Sequence, residues 1–214
     1  MAEPLKDVYD RAFIQGLAGH LQQHHNAFDV AAFTQSVFDQ HWTQRPLKAR
    51  MQHISVCIAN NWQLEYPQAV AILQAVAPQF SGFAAMLFPD YVEQFGQQHW
   101  QLSLKALGHF TRFSSSEFAV RPFIVTRPEA MMKQMLRWAK SKDTDQRRLA
   151  SEGCRPRLPW AMALPMFKQD PSPIVPILEQ LKNDPSLYVR RSVANNLNDI
   201  AKDNPDLYVK LCCD

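Results

Sequence analysis

The sequence predicts an all-α protein, a superhelical array of antiparallel helix pairs. Three observations carry that expectation. Apolar residues return at helical spacing along nearly the whole chain. Glycine is scarce, six residues in 214, where a sheet protein of this size needs glycine-bearing turns. The prolines fall mostly between amphipathic stretches, where they open or close helices.

Taken in order, residues 10–25 read as a helix with Phe13, Ile14, Leu17 and Leu21 on its apolar side. Residues 29–42 read as a second (Val30, Phe33, Val37, Phe38, Trp42). Pro46 opens a third, with Met51, Ile54, Val56 and Ile58, and Pro67 opens a fourth, with Val70, Leu73 and Val76. Residues 81–95 read as a shorter pair around Phe83, Met86, Phe88 and Val92, broken at Pro89. A clear helix spans 98–113, with Trp100, Leu102, Leu104, Leu107 and Phe110.

The second half is more regular. Glu129 to Lys140 is a helix carrying Met131, Met132, Met135, Leu136 and Trp138, and Thr144 to Gly153 is its partner. Pro171 to Leu181 is a helix, and Leu187 to Ala201 its partner, with Val189, Val193, Leu197 and Ile200 on one side. Arg147-Arg148 recurs 43 positions later as Arg190-Arg191, each after an aspartate-bearing turn (Asp143 and Asp145; Asp184). Two helices per unit with a period in the forties match HEAT-like repeats, an α-solenoid whose units bury their apolar stripes by stacking. The expectation is one HEAT-like domain over 1–214, irregular over about 1–111 and regular over about 112–214. Its last unit begins at Pro205 and lacks a second helix.

No apolar run approaches the ~18 residues of a membrane span, and the N-terminus has acids (Glu3, Asp7, Asp10) rather than a signal core. Cys57, Cys154, Cys212 and Cys213 have the spacing of neither a disulfide framework nor a zinc site. A cytoplasmic, metal-free and cofactor-free protein is the expectation. Net charge is +3, and its distribution is uneven. Residues 112–157 hold eleven Lys/Arg against five Asp/Glu, while the flanking regions are slightly acidic. A local basic surface suits a polyanion.

Three segments could carry chemistry there. On the helix Leu187 to Ala201, Arg191, Asn195 and Asn198 point away from the core stripe, with Ser192 and Asp199 on one flank. Asn195, Asn196 and Asn198 crowd a helix that amides disfavour, which suggests a role for them. Glu152 holds the place of Asn195 one repeat earlier, and Gly153 then interrupts the helix. The segment Cys154-Arg155-Pro156-Arg157-Leu158-Pro159-Trp160 presents two arginines suited to phosphates and a tryptophan suited to stacking. Ser114 and Glu117 have capping-box spacing, and Glu117 can also face the same groove. No P-loop, glycine-rich nucleotide fingerprint or Gly-x-Ser-x-Gly occurs. His20, His24 and His25 read as the polar end of a helix.

The run Phe113 to Phe123, the run Arg147 to Trp160 and the run Val189 to Asp199 together resemble the DNA alkylation repair glycosylases of the AlkC branch, HEAT-like relatives of the AlkD group. Glu3-Pro4-Leu5-Lys6 and the stretch Gly82-Phe83 to Phe88-Pro89 add to the resemblance. It implies excision of cationic N-alkylated bases, chiefly 3-methyladenine, from double-stranded DNA, without a metal and without flipping the base into a pocket. It points to Asp199, Glu152, Glu117 and Trp160 as the catalytic set. The arginines Arg121, Arg147, Arg148, Arg155, Arg157, Arg190 and Arg191, with Asn195, are the implied DNA contacts. It further implies a monomer working at the nucleoid, and a chain that continues past the last repeat. The reading requires Glu152 and Asp199 to share one side of the molecule, open to a duplex. The alternative is a non-catalytic HEAT-like scaffold binding nucleic acid or an acidic protein.

Overall fold

The computed structural model describes residues 4–213, without side chains for 212 and 213. Glu3 and the side chains of the Cys212-Cys213 pair lie outside the described residues. The described chain is helical throughout and divides into two compact units, Met1–Ser114 and Ser115–Asp214. No described helix is long and apolar enough to cross a membrane.

The first unit holds α1 (Arg11–His24), α2 (Val30–Val37), α3 (Leu47–Asn61), α4 (Tyr66–Val76), α5 (Leu87–Phe95) and α6 (Trp100–Phe110). Asp10 and Asp29 cap α1 and α2 by accepting from the first-turn amides. Three sequence expectations change here. The second helix stops at Val37, because Asp39 turns back to bind the His41 amide and the Arg45 guanidinium. Val56 is exposed, and Cys57, one position on, is buried in its place. Pro89 does not break a helix: it lies in the first turn of α5, where no intrahelical hydrogen bond is lost.

The second unit holds α7 (Val120–Thr126), α8 (Pro128–Ala139), α9 (Thr144–Glu152), α10 (Pro165–Gln169), α11 (Val175–Leu181), α12 (Leu187–Ala201) and α13 (Pro205–Cys213). The short α7 and α10 carry too few residues to show a period, and the sequence did not reveal them. In the two regular pairs, α8 packs on α9 and α11 on α12; α9 lies against α12, and α8 against α11. Met131, Met135 and Trp138 of α8, Leu149 and Ala150 of α9, Ile177, Leu178 and Leu181 of α11 and Val189, Val193 and Ile200 of α12 are all buried.

The repeat shows itself in side-chain chemistry. Arg147 Nη1 donates to the carbonyls of Ser141 (3.1 Å) and Lys142 (3.0 Å). Arg190 Nη1, one repeat on, donates to the carbonyls of Asp184 (2.6 Å) and Pro185 (3.0 Å). Both acceptor pairs are related by the same 43 positions as the arginines themselves. Each arginine closes the turn that starts its own helix. Arg147 also forks onto the carboxylate of Asp184, at 2.6 and 3.2 Å, which ties the two repeats together.

Candidate active site

The candidate carboxylates all belong to the second unit. Asp143 accepts from the amides of Asp145 and Gln146, which starts α9 and sets its rotation. The helix then carries Arg148 and Glu152 one turn apart on the same side. Gly153 ends it. A Cβ at that position would meet Val120 Cγ2 at 2.7 Å and the Leu149 carbonyl at 2.9 Å, so only glycine allows α7 to approach the end of α9 this closely. The segment after Gly153 is held by Arg121. Its Nε donates to the Met162 carbonyl at 2.6 Å, and its Nη1 donates to the carbonyls of Gly153 (3.1 Å) and Arg155 (3.0 Å). Burial pushes the Arg121 pKa down to about 10. Read from sequence as a DNA contact, Arg121 is fully buried and acts as the clamp of the loop.

That loop delivers Arg155 between two acids. Arg155 Nη1 donates to Glu152 Oε1 at 2.6 Å, and its Nε donates to Asp199 Oδ2 at 2.9 Å. Arg148 Nη2 approaches the same Glu152 Oε1 at 3.5 Å. Arg148 Nη1 bonds Glu117 and, at 3.0 Å, Ser115 Oγ. The result is an alternating row, Glu117–Arg148–Glu152–Arg155–Asp199, of three carboxylates and two guanidiniums, with a formal excess of one negative charge. Burial works against the charge of Arg155, but the bonds from Asp199 and the field of Glu152 outweigh it and raise its pKa. Ser192 of α12 completes the coordination of Glu152 by donating to Oε2 at 2.6 Å.

Glu117 reaches this row by a route other than the one its spacing suggests. Ser115, not Ser114, is its partner: Ser115 Oγ donates to the Glu117 carboxylate at 2.8 Å, and α7 begins only at Val120. No capping box forms. On α12, Ser192, Asn196 and Asp199 are buried in a line rather than placed on an open flank. They face α9, where Asn196 Nδ2 donates to the Ser151 carbonyl at 2.8 Å. The three asparagines therefore divide: Asn196 cross-links the helices, while Asn195 and Asn198 are exposed.

Of the two parts of the sequence requirement, that Glu152 and Asp199 share one side is met, since one guanidinium bonds both, whereas openness to a duplex is not, both being buried. Their exposure is small, 4% for Glu152 and 2% for Asp199. Asp199 Oδ1 has Lys202 Nζ at 3.7 Å, and that lysine side chain is 61% exposed. Trp160 lies at the open end of the loop. It is 65% exposed and has a φ of +63°, the left-handed region that a bulky residue enters only at a cost. Met162, two residues on, is half exposed.

The expected DNA-binding arginines are mostly engaged within the protein. Arg147 and Arg190 close turns, Arg148 and Arg155 belong to the ion row, and Arg157 forks onto Asp203 at 2.8 and 2.6 Å. Arg191 and Asn195 are exposed. Two residues of the site were not singled out from sequence, Tyr188 and Lys202. The Arg148 guanidinium lies 5.1 Å from the centre of the half-exposed Tyr188 ring. The 43-residue register was the available signal for Tyr188, since it precedes the Arg190-Arg191 pair by the interval that separates Asp145 from Arg147-Arg148. An apolar hollow of about 330 Å³ between α8, α10 and α11, lined by Met132, Leu136, Phe167 and Ile177, holds none of the candidate residues.

The fold has a counterpart in a known structure. The chain is similar to the Pseudomonas fluorescens alkylpurine DNA glycosylase AlkC bound to DNA containing an abasic site analogue, with a TM-score of 0.95 and 37% identity over 99% of this chain and 59% of that one. By fold and sequence the chain is AlkC-like. It is also 47% identical over 207 residues to the uncharacterised protein YhaZ of Bacillus subtilis (strain 168), covering 97% of this chain and 58% of that protein. No family model matches the sequence. The chain spans less than two thirds of the length of either relative. Its all-α helical-repeat fold is that of the AlkC structure.

Proposed function

We propose that this chain carries the catalytic site of a DNA glycosylase that excises cationic N-alkylated purines, chiefly 3-methyladenine, from duplex DNA. The observation that carries the reading is the single buried row in which Arg155 joins Glu152 to Asp199 and Arg148 joins Glu152 to Glu117. The similarity to AlkC, and what that protein is bound to, supports the same reading.

The chemistry suits an excess of negative charge. In an N3-alkylated adenine the base is already a cation. Breaking the bond between C1′ and the base sends the electron pair onto the base, which leaves neutral. The deoxyribose takes up oxocarbenium character, water adds at C1′, and a proton is released. Little acid catalysis is required of the protein. A fixed carboxylate beside C1′ lowers the energy of the cationic sugar and orients the water. Asp199 is assigned that role, because Arg155 holds only one of its oxygens within hydrogen-bond distance while Glu152 is bonded on both. Glu152 and Glu117 shape the site through the two arginines. Trp160, exposed at the loop tip, packs on the lesion nucleotide, which stays unflipped. The working protein is a monomer on damaged double-stranded DNA.

A specific observation favours a second reading. Asp199 and Glu152 are nearly buried, and such an ion row also serves to fix α9, the loop and α12 in one arrangement. In a non-catalytic scaffold, for nucleic acid or an acidic protein, that would be its whole role. Release of 3-methyladenine from methylated duplex DNA separates the two. The glycosylase releases base, and Asp199→Asn, Glu152→Gln and Glu117→Gln each slow release while duplex binding persists. A folded, DNA-binding protein that releases no base is the scaffold.

A further inference from the structure

We infer that Lys202 is a DNA-phosphate contact seated against Asp199, at the end of an exposed polar line on α12 that includes Tyr188, Arg191 and Asn195. The inference rests on the DNA-binding reading above and names a residue of that surface.

The first support is the fate of the arginines. A strand that brings a damaged sugar to Asp199 also brings its phosphates there, and these need cations that are free to move. Arg155 and Arg157, the two arginines of the loop that carries Trp160, are held by Glu152, Asp199 and Asp203. Arg121 is buried on backbone carbonyls. Lys202 differs from all three. Its side chain is 61% exposed, and its ammonium is 3.7 Å from Asp199 Oδ1, beyond a normal hydrogen bond. It can therefore leave the carboxylate for a phosphate without breaking a buried contact.

Helix geometry gives the second support. At about 100° per residue, Tyr188, Arg191, Asn195 and Lys202 fall within roughly 60° of one another around α12. All four are exposed. Arg148 and Glu152 take the equivalent places on α9, 43 positions before Arg191 and Asn195. The line on α12 thus continues the side of the repeat on which the ion row is built. Arg191 and Lys202 stand about 16 Å apart along the axis, at about 1.5 Å per residue, with Asp199 between them in sequence. Two separated cations flanking a carboxylate can grip phosphates to either side of it along one strand, and each brings counterion release. When Lys202 moves to a phosphate, the free oxygen of Asp199 loses its compensating charge and presents a stronger negative field to the sugar.

A lysine at a helix C-terminus also complements the helix dipole, and Lys182, the residue capping α11, provides the control for that role. Binding to a duplex carrying an uncleavable abasic-site analogue is measured across a range of salt concentrations. Lys202→Gln weakens binding and lowers the slope of log K against log salt by about 0.9, the loss of one phosphate contact. Lys202→Arg restores both, and Lys182→Gln leaves the slope unaltered. An unchanged slope in Lys202→Gln, or an equal loss in Lys182→Gln, overturns the inference. The readout does not depend on base release. A chain that binds with a Lys202-dependent slope but releases no alkylated base loses the glycosylase reading and keeps this one. A chain that binds no duplex loses both.

Discussion

Arg155 and Asp199, 44 residues apart in the chain, are joined by an Nε–Oδ2 bond of 2.9 Å that ties the loop after α9 to the last turn of α12. The guanidinium is shared with Glu152, so one side chain sets the positions of two candidate catalytic carboxylates. Removing it leaves two acids buried without their main partner. Arg155→Met is expected to destabilise the protein by about 3–5 kcal/mol in denaturant unfolding. Asp199→Asn keeps a hydrogen-bonding group of the same shape and acts on a different quantity. Base release slows by about 10²- to 10³-fold, and duplex affinity stays within a few fold, in single-turnover and binding assays.

The repeat arginines behave as structural residues. Arg147→Ala removes the forked partner of the buried Asp184 and costs about 3 kcal/mol, whereas Arg190→Ala, which loses only bonds to turn carbonyls, costs about 1 kcal/mol. Both lower the melting temperature. Neither reduces the salt slope of duplex binding by a full phosphate contact, and a reduction near 0.9 in either would make that arginine a DNA contact after all.

Gly153 is fixed by space. In Gly153→Ala the new methyl meets Val120 and the Leu149 carbonyl inside van der Waals distance, and backbone cannot yield as a flexible side chain does. A loss of about 1–3 kcal/mol in thermal unfolding is expected. The end of α9 also carries Glu152, so base release falls further than the lost stability alone accounts for.

Trp160 combines exposure with a positive φ. Trp160→Gly relieves the backbone and should be more stable than Trp160→Ala by about 1 kcal/mol. Both variants lose the ring, and both release 3-methyladenine more slowly than the unaltered chain. A variant that keeps full activity without the ring would remove Trp160 from the site.

In the first unit, Asp90 and Glu93 make stability depend on pH. Burial raises the Asp90 pKa from 3.8 to about 6, against the pull of hydrogen bonds from Ser55 and Gln94. Burial and the Asp90 charge raise that of Glu93 from 4.5 to about 7. The folded state therefore holds these protons more tightly than the unfolded chain. The associated stability is complete below the ordinary carboxyl values and is lost as pH rises through about 6 to 7. Denaturant unfolding should show a fall between about pH 4 and pH 8 on the order of 3 kcal/mol for each of the two groups. Asp90→Asn together with Glu93→Gln should flatten it.

Several features were open to a reader of the residues alone. The bounds of α12, Leu187–Ala201, follow from an apolar period repeated over four turns. The repeat followed from Arg147-Arg148 and Arg190-Arg191, and the resemblance to the AlkC branch from the three motif runs. Periodicity and motifs are local properties of the chain, so a linear reading reaches them. Partnership is not local. Arg121, Arg147 and Arg155 look alike as cations in a basic stretch, yet one is a buried loop clamp, one a repeat staple and one the bridge between Glu152 and Asp199. The groups that claim them, backbone carbonyls for Arg121 and carboxylates for Arg147 and Arg155, lie up to 44 residues away, and only folding brings them to within 3 Å. Lys202 is the converse case: its place beside Asp199 is an i, i+3 relation on one helix, and what folding added is the burial of Asp199 while the lysine stays exposed.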